Sequence, residues 1–167
     1  MLLDRRLDAA AANAAVAQLL LLDAEDQQAP IRVVVNSAGG DLGAALAVHD
    51  VMQRCAAPIE TLCIGEAAGA AALALSGGTP RRRAILPTAR VRLELGAVER
   101  SGNVGDVQAW ARELEALTFR FAQALARDCG RHAEEVEHDL HRGRVLDASA
   151  AVAYGIADTV AGEQRVS

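Results

Sequence analysis

Short apolar runs alternate with longer amphipathic stretches along the chain. The runs at 31–35, 59–64, 84–86, 91–95 and 156–160 are rich in β-branched and aliphatic residues and predict strands. The stretches at 9–22, 42–55, 67–75, 106–129, 132–140 and 148–154 predict helices. Strands that alternate with helices predict an α/β fold with largely buried strands.

The longest predicted helix, 106–129, carries a stripe of apolar residues. Asp106 stands where it can cap the first turn. Trp110, Leu114, Leu117 and Phe121 recur at helical spacing and share one face. Such a face packs either into the core of the same chain or against another subunit, and the pattern alone leaves both readings open.

The segment 63–72 joins an apolar run to a series of very small residues. The sequence predicts that Gly65 ends a strand and that a buried helix opens soon after it. In α/β proteins such a turn is a place for a nucleophile or an anion, because the first N–H groups of the helix have no partner within the helix. Gly69 has no side chain to serve as a nucleophile.

Length and composition favour a single domain over residues 1–167 and exclude several classes of function. The net charge of −5 argues against a nucleic-acid partner, and the one basic run, 81–83, is interpreted as a solvated loop. Three cysteines without CxxC spacing favour a reducing compartment. The apolar segment 9–22 lacks a cleavage site and the length of a membrane span, so we predict a cytoplasmic protein that does not interact with membranes.

Two histidines, His138 and His141, have a spacing on a predicted helix that could bind a metal. No third ligand is fixed by spacing, and a solvated acidic helix is the favoured interpretation. We therefore predict no metal site and no cofactor. Cys63 is interpreted as a small buried hydrophobic residue.

Several segments together resemble the proteolytic subunit of Clp protease, the ClpP family. They are Asn-Ser-Ala-Gly-Gly at 36–40, Cys-Ile-Gly-Glu-Ala-Ala at 63–68, Leu-Pro-x-x-Arg-Val at 86–91 and Tyr-Gly-Ile-Ala-Asp at 154–158. Their order and spacing carry the resemblance, which extends over nearly the whole chain. It implies a ClpP/crotonase-like spiral of ββα units with a protruding handle helix.

The resemblance also implies a Ser-His-Asp peptidase, but this chain lacks all three groups. The nucleophile position falls on Gly69, the base position on Glu94 and the carboxylate position on Gly143. The two backbone donors of the family's oxyanion hole map onto Gly40 and Ala70, and such donors survive side-chain substitution. We therefore predict that peptidase activity is absent.

The same resemblance implies self-association into heptameric rings, either alone or mixed with an active paralogue. In the family the handle helix joins two rings, so the resemblance implies that the face with Trp110, Leu114, Leu117 and Phe121 belongs to an oligomer interface. A glycine pair that usually precedes this helix is Val98-Glu99 here. The N-terminal axial loop and first strand are expected to be truncated. Arg32 and Val34 stand where the family usually has aromatic residues of the docking pocket, so we expect weak docking of a Clp ATPase.

Glu94 supports one alternative, crotonase-like chemistry on acyl-CoA thioesters. Crotonase-like enzymes share this fold and pair a backbone oxyanion hole with a carboxylate base. Residues 37–42 are similar to one of their oxyanion segments, and a glutamate near such a hole suits proton abstraction beside a thioester carbonyl.

Overall fold

The computed structural model describes residues 1–96 and 103–162, which form an α/β structure. Its strands are β1 (Leu2–Leu3), β2 (Ile31–Ser37), β3 (Ile59–Ala68), β4 (Arg83–Ile85), β5 (Arg90–Leu93), β6 (Arg144–Leu146) and β7 (Thr159–Val160). Its helices are α1 (Ala9–Glu25), α2 (Leu42–Arg54), α3 (Ala70–Ser76), α4 (Val104–Cys129), α5 (Ala133–Arg142) and α6 (Ala148–Tyr154). The predicted α/β class is confirmed. The predicted pair Val98-Glu99 lies outside the described residues.

The strands form one sheet that is mostly parallel. Its main path runs β1-β2-β3-β4-β7, and every pair along it is parallel. Strand β5 pairs with β3 in parallel, and β6 pairs with β5 in antiparallel orientation. Most helices pack their small and aliphatic residues against this sheet, and Leu19, Leu73, Phe121 and Leu125 are among the fully buried side chains.

Strand β3 is longer than the sequence predicted and holds the sheet together. Its first half pairs with β2 and β4, whereas Glu66–Ala68 pair with β5. The prediction that Gly65 ends the strand is therefore wrong. The small residues 66–68 were assigned to a turn and a helix, but they have strand neighbours on both sides, and this pairing overrides their low β propensity.

A two-residue strand, β1, precedes α1, and Leu2 pairs with Val34 and Leu3 with Val35. One further prediction at an element boundary needs correction. The cap of α4 is Asn103, whose side chain accepts a hydrogen bond from the Asp106 N–H, so Asp106 is inside the helix instead of capping it.

Helix α4 divides into an exposed N-terminal half and a buried C-terminal half. Phe121 and Leu125 are fully buried in the core, whereas Trp110 and Leu114 are only partly covered. Phe121 was predicted to belong to an oligomer face, and that prediction is wrong, because its side chain already packs inside the chain. No helix in residues 1–96 and 103–162 is long and apolar enough to cross a membrane.

A buried arginine, Arg83, joins the far ends of several elements. Its Nε and Nη2 donate to the Asp158 carboxylate at 3.0 and 2.6 Å. Its Nη1 donates to the carbonyl oxygens of Ser76 and Asp128, at the C-terminal ends of α3 and α4. The cation therefore stabilises two helix termini, where carbonyl groups lack partners, and links them to the segment before β7.

This ion pair predicts a loss of stability in acid. Burial would raise the pKa of the Asp158 carboxyl, but the hydrogen bonds and charge of Arg83 outweigh that effect and lower it. A lowered pKa in the folded state stabilises the protein fully above the unfolded aspartate value, about 3.9, and this contribution is lost as the pH falls through the folded value. Urea unfolding at pH values between about 2.5 and 7 measures it.

The matched comparison for that experiment is Asp158→Asn. We expect the variant to be less stable than the parent chain at neutral pH, by about 1–3 kcal/mol, with a difference that shrinks below about pH 4. A difference that stays constant or grows in acid would contradict the assignment of the pKa shift to Arg83.

Candidate functional site

Three backbone segments converge at the C-terminal ends of β2, β3 and β5. A Cβ placed on Gly39, after β2, would lie 2.9 Å from the Ala68 carbonyl oxygen. A Cβ placed on Gly69, after β3, would lie 2.8 Å from the Glu94 carbonyl oxygen, after β5. The segments thus pack backbone against backbone, and glycine is what allows the approach.

Gly69 forms a sharp turn between β3 and α3. Its φ of 44° and ψ of −111° are accessible to glycine and strained for other residues. Its N–H donates to the Arg92 carbonyl oxygen at 2.8 Å, so the turn is fixed against β5. A strand-to-helix turn of this kind presents the nucleophile in many α/β enzymes. Here the position has no atom that could attack a carbonyl.

Glu94 lies beside Gly69, but its carboxylate is paired. The Arg92 guanidinium donates to Glu94 Oε2 at 2.5 Å and also lies 3.8 Å from the Glu66 carboxylate. Arg90 Nε donates to the same Glu66 at 2.9 Å. The charges along this edge therefore alternate, and Glu94 is already held by a cation rather than free to act as a base.

Gly143 reaches the same region through β6. It ends α5 in the left-handed conformation, with φ of 67°, and β6 follows it directly. Leu93 pairs with Arg144 in antiparallel register, and one further step along that register brings Gly143 opposite Glu94. The structure therefore brings Gly69 and Glu94 together and places Gly143 directly before β6, the partner strand of β5.

Two backbone N–H groups at the site have no protein acceptor within the described part of the chain. The bridge between Leu7 and Gly40 uses the Gly39 carbonyl and the Asp41 N–H, which leaves the Gly40 N–H unused. Ala70 is the first residue of α3, where N–H groups lack helical partners. A Cβ on Gly39 would lie 3.8 Å from the Ala70 nitrogen, so the two predicted donor segments are adjacent.

An apolar cavity of about 130 Å³ adjoins Gly40. Five leucines supply much of its apolar lining: Leu7, Leu42, Leu95, Leu114 and Leu117. Two of these, Leu114 and Leu117, come from α4 and were predicted for an oligomer face. In this chain they also line the cavity, so part of the apolar stripe of α4 faces the interior of the same chain.

Two cysteines, Cys63 and Cys129, cannot replace the missing nucleophile. Burial raises the pKa of the Cys63 thiol to about 11 and that of Cys129 to about 12, so both remain protonated near neutral pH. Cys63 is fully buried within β3. In residues 1–96 and 103–162, no group of three or more His, Cys, Asp or Glu side chains is suited to hold a metal ion.

The sequence interpretation missed one buried polar cluster. His49 Nε2 lies 3.0 Å from Asp128 Oδ2, and the Ser76 hydroxyl donates to the same oxygen at 2.7 Å. The cluster links α2, α3 and α4 through side chains that are distant in sequence. No motif or spacing marks these three residues, and only the folded structure brings them together.

Comparison with known proteins identifies the family. The Clp protease family model matches residues 1–164. The chain belongs to the Clp protease family. It is 42% identical to ATP-dependent Clp protease proteolytic subunit 1 of Nocardia farcinica, over 92% of this chain and 78% of that protein. It is 39% identical to proteolytic subunit 2 of Corynebacterium jeikeium, over 99% of this chain and 79% of that protein.

These findings confirm the resemblance to ClpP and do not favour the crotonase-like alternative. The relatives found are proteolytic subunits of Clp proteases. The ion pair between Arg92 and Glu94 also argues against a free carboxylate base at the site.

The geometry of Gly69 predicts that a side chain cannot simply be restored there. We expect Gly69→Ser to lower the free energy of unfolding by about 3 kcal/mol or more, because it combines a strained φ with a close approach to the Glu94 carbonyl. Urea denaturation followed by circular dichroism measures the change.

Gly130→Ala is the matched control, because Gly130 also has a left-handed φ, 66°, but nothing lies within 4 Å of the Cβ position. It isolates the conformational cost, about 1–2 kcal/mol. If Gly69→Ser destabilises the chain no more than Gly130→Ala, the close approach to the Glu94 carbonyl does not add to the cost of a side chain at position 69, and the prediction is wrong.

Proposed function

We propose that this chain is a catalytically inactive ClpP-like subunit with a structural or regulatory role in a ring. The observation that carries the proposal is Gly69, a glycine at the strand-to-helix turn where a peptidase of this family requires its nucleophile. Gly143 removes the orienting carboxylate, and Glu94 stands in place of the base. Without a nucleophile at this turn, no acyl-enzyme forms there, and no group among the described residues of the site replaces that step.

The unpaired N–H groups of Gly40 and Ala70 do not by themselves make a peptidase. Donors of this kind stabilise an oxyanion that an attacking group must first create. In triad enzymes the residual rate after loss of the triad is about 10³–10⁴-fold over water, far below enzymatic turnover. The proposed subunit therefore keeps the two backbone donors but does not hydrolyse peptides.

The proposed assembly is a ring of this chain, either alone or mixed with an active paralogue. Membership in the Clp protease family supports self-association. The half-exposed Trp110 on α4 supports a role for the N-terminal half of this helix as the handle between rings, on a fold built from a spiral of ββα units. The free cysteines support a reducing compartment, and we propose the cytoplasm.

Docking of a Clp ATPase to this subunit is proposed to be weak. Arg32 is exposed, pairs with Glu60, and occupies a position where an aromatic anchor is expected. An apolar loop gains little from contact with a hydrated ion pair, because the pair must be desolvated. An ATPase would then engage other members of a mixed ring.

The absence of peptidase activity is tested with fluorogenic peptides. We expect hydrolysis by the purified chain to equal the buffer blank, because Gly69 supplies no attacking atom. The proteolytic subunit 1 of Nocardia farcinica, assayed in parallel, is the comparison protein. A rate above the blank that a serine-directed inhibitor abolishes would overturn the proposal.

Native mass spectrometry tests the proposed assembly. We expect a species of about seven or fourteen copies, and the variant Trp110→Glu should reduce paired rings to single rings by placing a charge in the seam. Gln108→Glu, exposed on the same helix, is the matched control and should leave the mass unchanged. A monomer under all conditions, with and without an active paralogue, would exclude the ring.

A further inference from the structure

The basic run 81–83 contributes to a charged surface that the proposed ring function does not use. Arg81 and Arg82, with Arg32 and Glu60, surround an open cavity of about 270 Å³ on the surface of the sheet. We refer to these four residues as the Arg patch. Arg83, the third member of the run, is buried and paired with Asp158, so it is not part of this surface.

One carboxylate serves two of the three arginines in the Arg patch. Glu60 Oε2 lies 3.2 Å from Arg32 Nη2, and Glu60 Oε1 lies 2.9 Å from Arg82 Nη1. Within the described residues, the Arg81 side chain makes no ion pair or hydrogen bond. Positive charge therefore exceeds negative charge here, on a chain whose overall net charge is −5.

The strand register places the residues of the Arg patch next to one another. Arg32 and Glu60 are direct partners in the parallel register of β2 and β3. Arg82 directly precedes β4, the neighbour of β3 on the other side. Arg81 has a φ of 70° and is the one residue other than glycine with a positive φ in residues 1–96 and 103–162. Strained backbone of this kind concentrates at functional positions.

The charged ends of the Arg patch are accessible to a ligand. The side chains of Arg32 and Arg82 are 70% and 44% exposed, whereas Glu60 is 26% exposed. The carboxylate therefore lies at the base, and the two guanidinium forks extend toward solvent. Each fork can bind a carboxylate through two parallel hydrogen bonds.

We propose that the Arg patch binds an acidic segment of a partner protein, whose carboxylates pair with Arg32 and Arg82. The Arg patch shares Arg32 and Glu60 with the position where docking of a Clp ATPase is proposed to be weak. The interaction proposed here goes beyond the ring function, because it names a partner of different chemistry, and it does not depend on ring formation. A protein segment is favoured over nucleic acid, because a net charge of −5 repels an extended polyanion, whereas a short acidic segment contacts only the patch.

Fluorescence anisotropy with defined probes tests the proposal on the full chain. The probe is a labelled peptide that alternates glutamate with serine, and its reference replaces every glutamate with glutamine. We expect only the acidic peptide to bind, with an affinity that falls as the ionic strength rises from about 0.05 to 0.3 M. A labelled single-stranded oligonucleotide provides the nucleic-acid arm.

Two variants assign any binding to the Arg patch. Arg32→Gln combined with Arg82→Gln should weaken binding by about tenfold, since two exposed charge pairs are lost. Glu60→Gln should strengthen binding, because it removes the internal competitor for both arginines. Arg5→Gln combined with Arg54→Gln makes the same change of charge at exposed sites elsewhere and should leave the affinity within about twofold.

Several outcomes would overturn the proposal. They are no binding of the acidic peptide, tighter binding of the oligonucleotide, or equal losses in the Arg patch variant and its control. If the double variant fails to fold, Glu60→Gln decides the matter, since a weaker or unchanged affinity in that variant contradicts competition by Glu60.

Discussion

Along β3 the neighbouring strand on one side changes from β4 to β5, and the rest of the structure depends on this change. The first half of β3 lies between β2 and β4, and the last three residues of the strand lie between β2 and β5. The strand can leave this crowded position only through a turn that passes close to the end of β5. Gly69 makes that turn, with its N–H bonded to Arg92 and its Cα against the Glu94 carbonyl.

This packing connects the fold to the proposed lack of peptidase activity. At Gly69 the position of a nucleophile is filled by backbone contact with β5, so a serine needs both a strained φ and a displaced Glu94. The carboxylate of Glu94 is turned to Arg92, which makes it part of a surface charge pattern. On the proposed function, the junction at Gly69 replaces a catalytic site and keeps the backbone donors of Gly40 and Ala70.

Much of this could be predicted from the sequence, and the exceptions have physical reasons. The pattern of apolar runs was sufficient for the α/β class and for most helices. The prediction for residues 66–68 was wrong because strand pairing outweighed their low β propensity. Strand β1 was not predicted because two residues are too few to show a hydrophobic pattern. Phe121 was ambiguous because a helical stripe does not show where its partner lies. The cluster of His49 with Asp128 depends on contacts that no local signal encodes.

In the proposed function, Gly69 leaves the nucleophile position of this site without a group that could attack a carbonyl or phosphonyl centre. Intact-mass measurement after incubation with a serine-directed fluorophosphonate tests it most directly, with the Nocardia farcinica proteolytic subunit 1 labelled in the same tube. We expect the chain to keep its unmodified mass, because Gly69 offers no hydroxyl group. A stoichiometric adduct on this chain, mapped to the segment around Gly69, would contradict it.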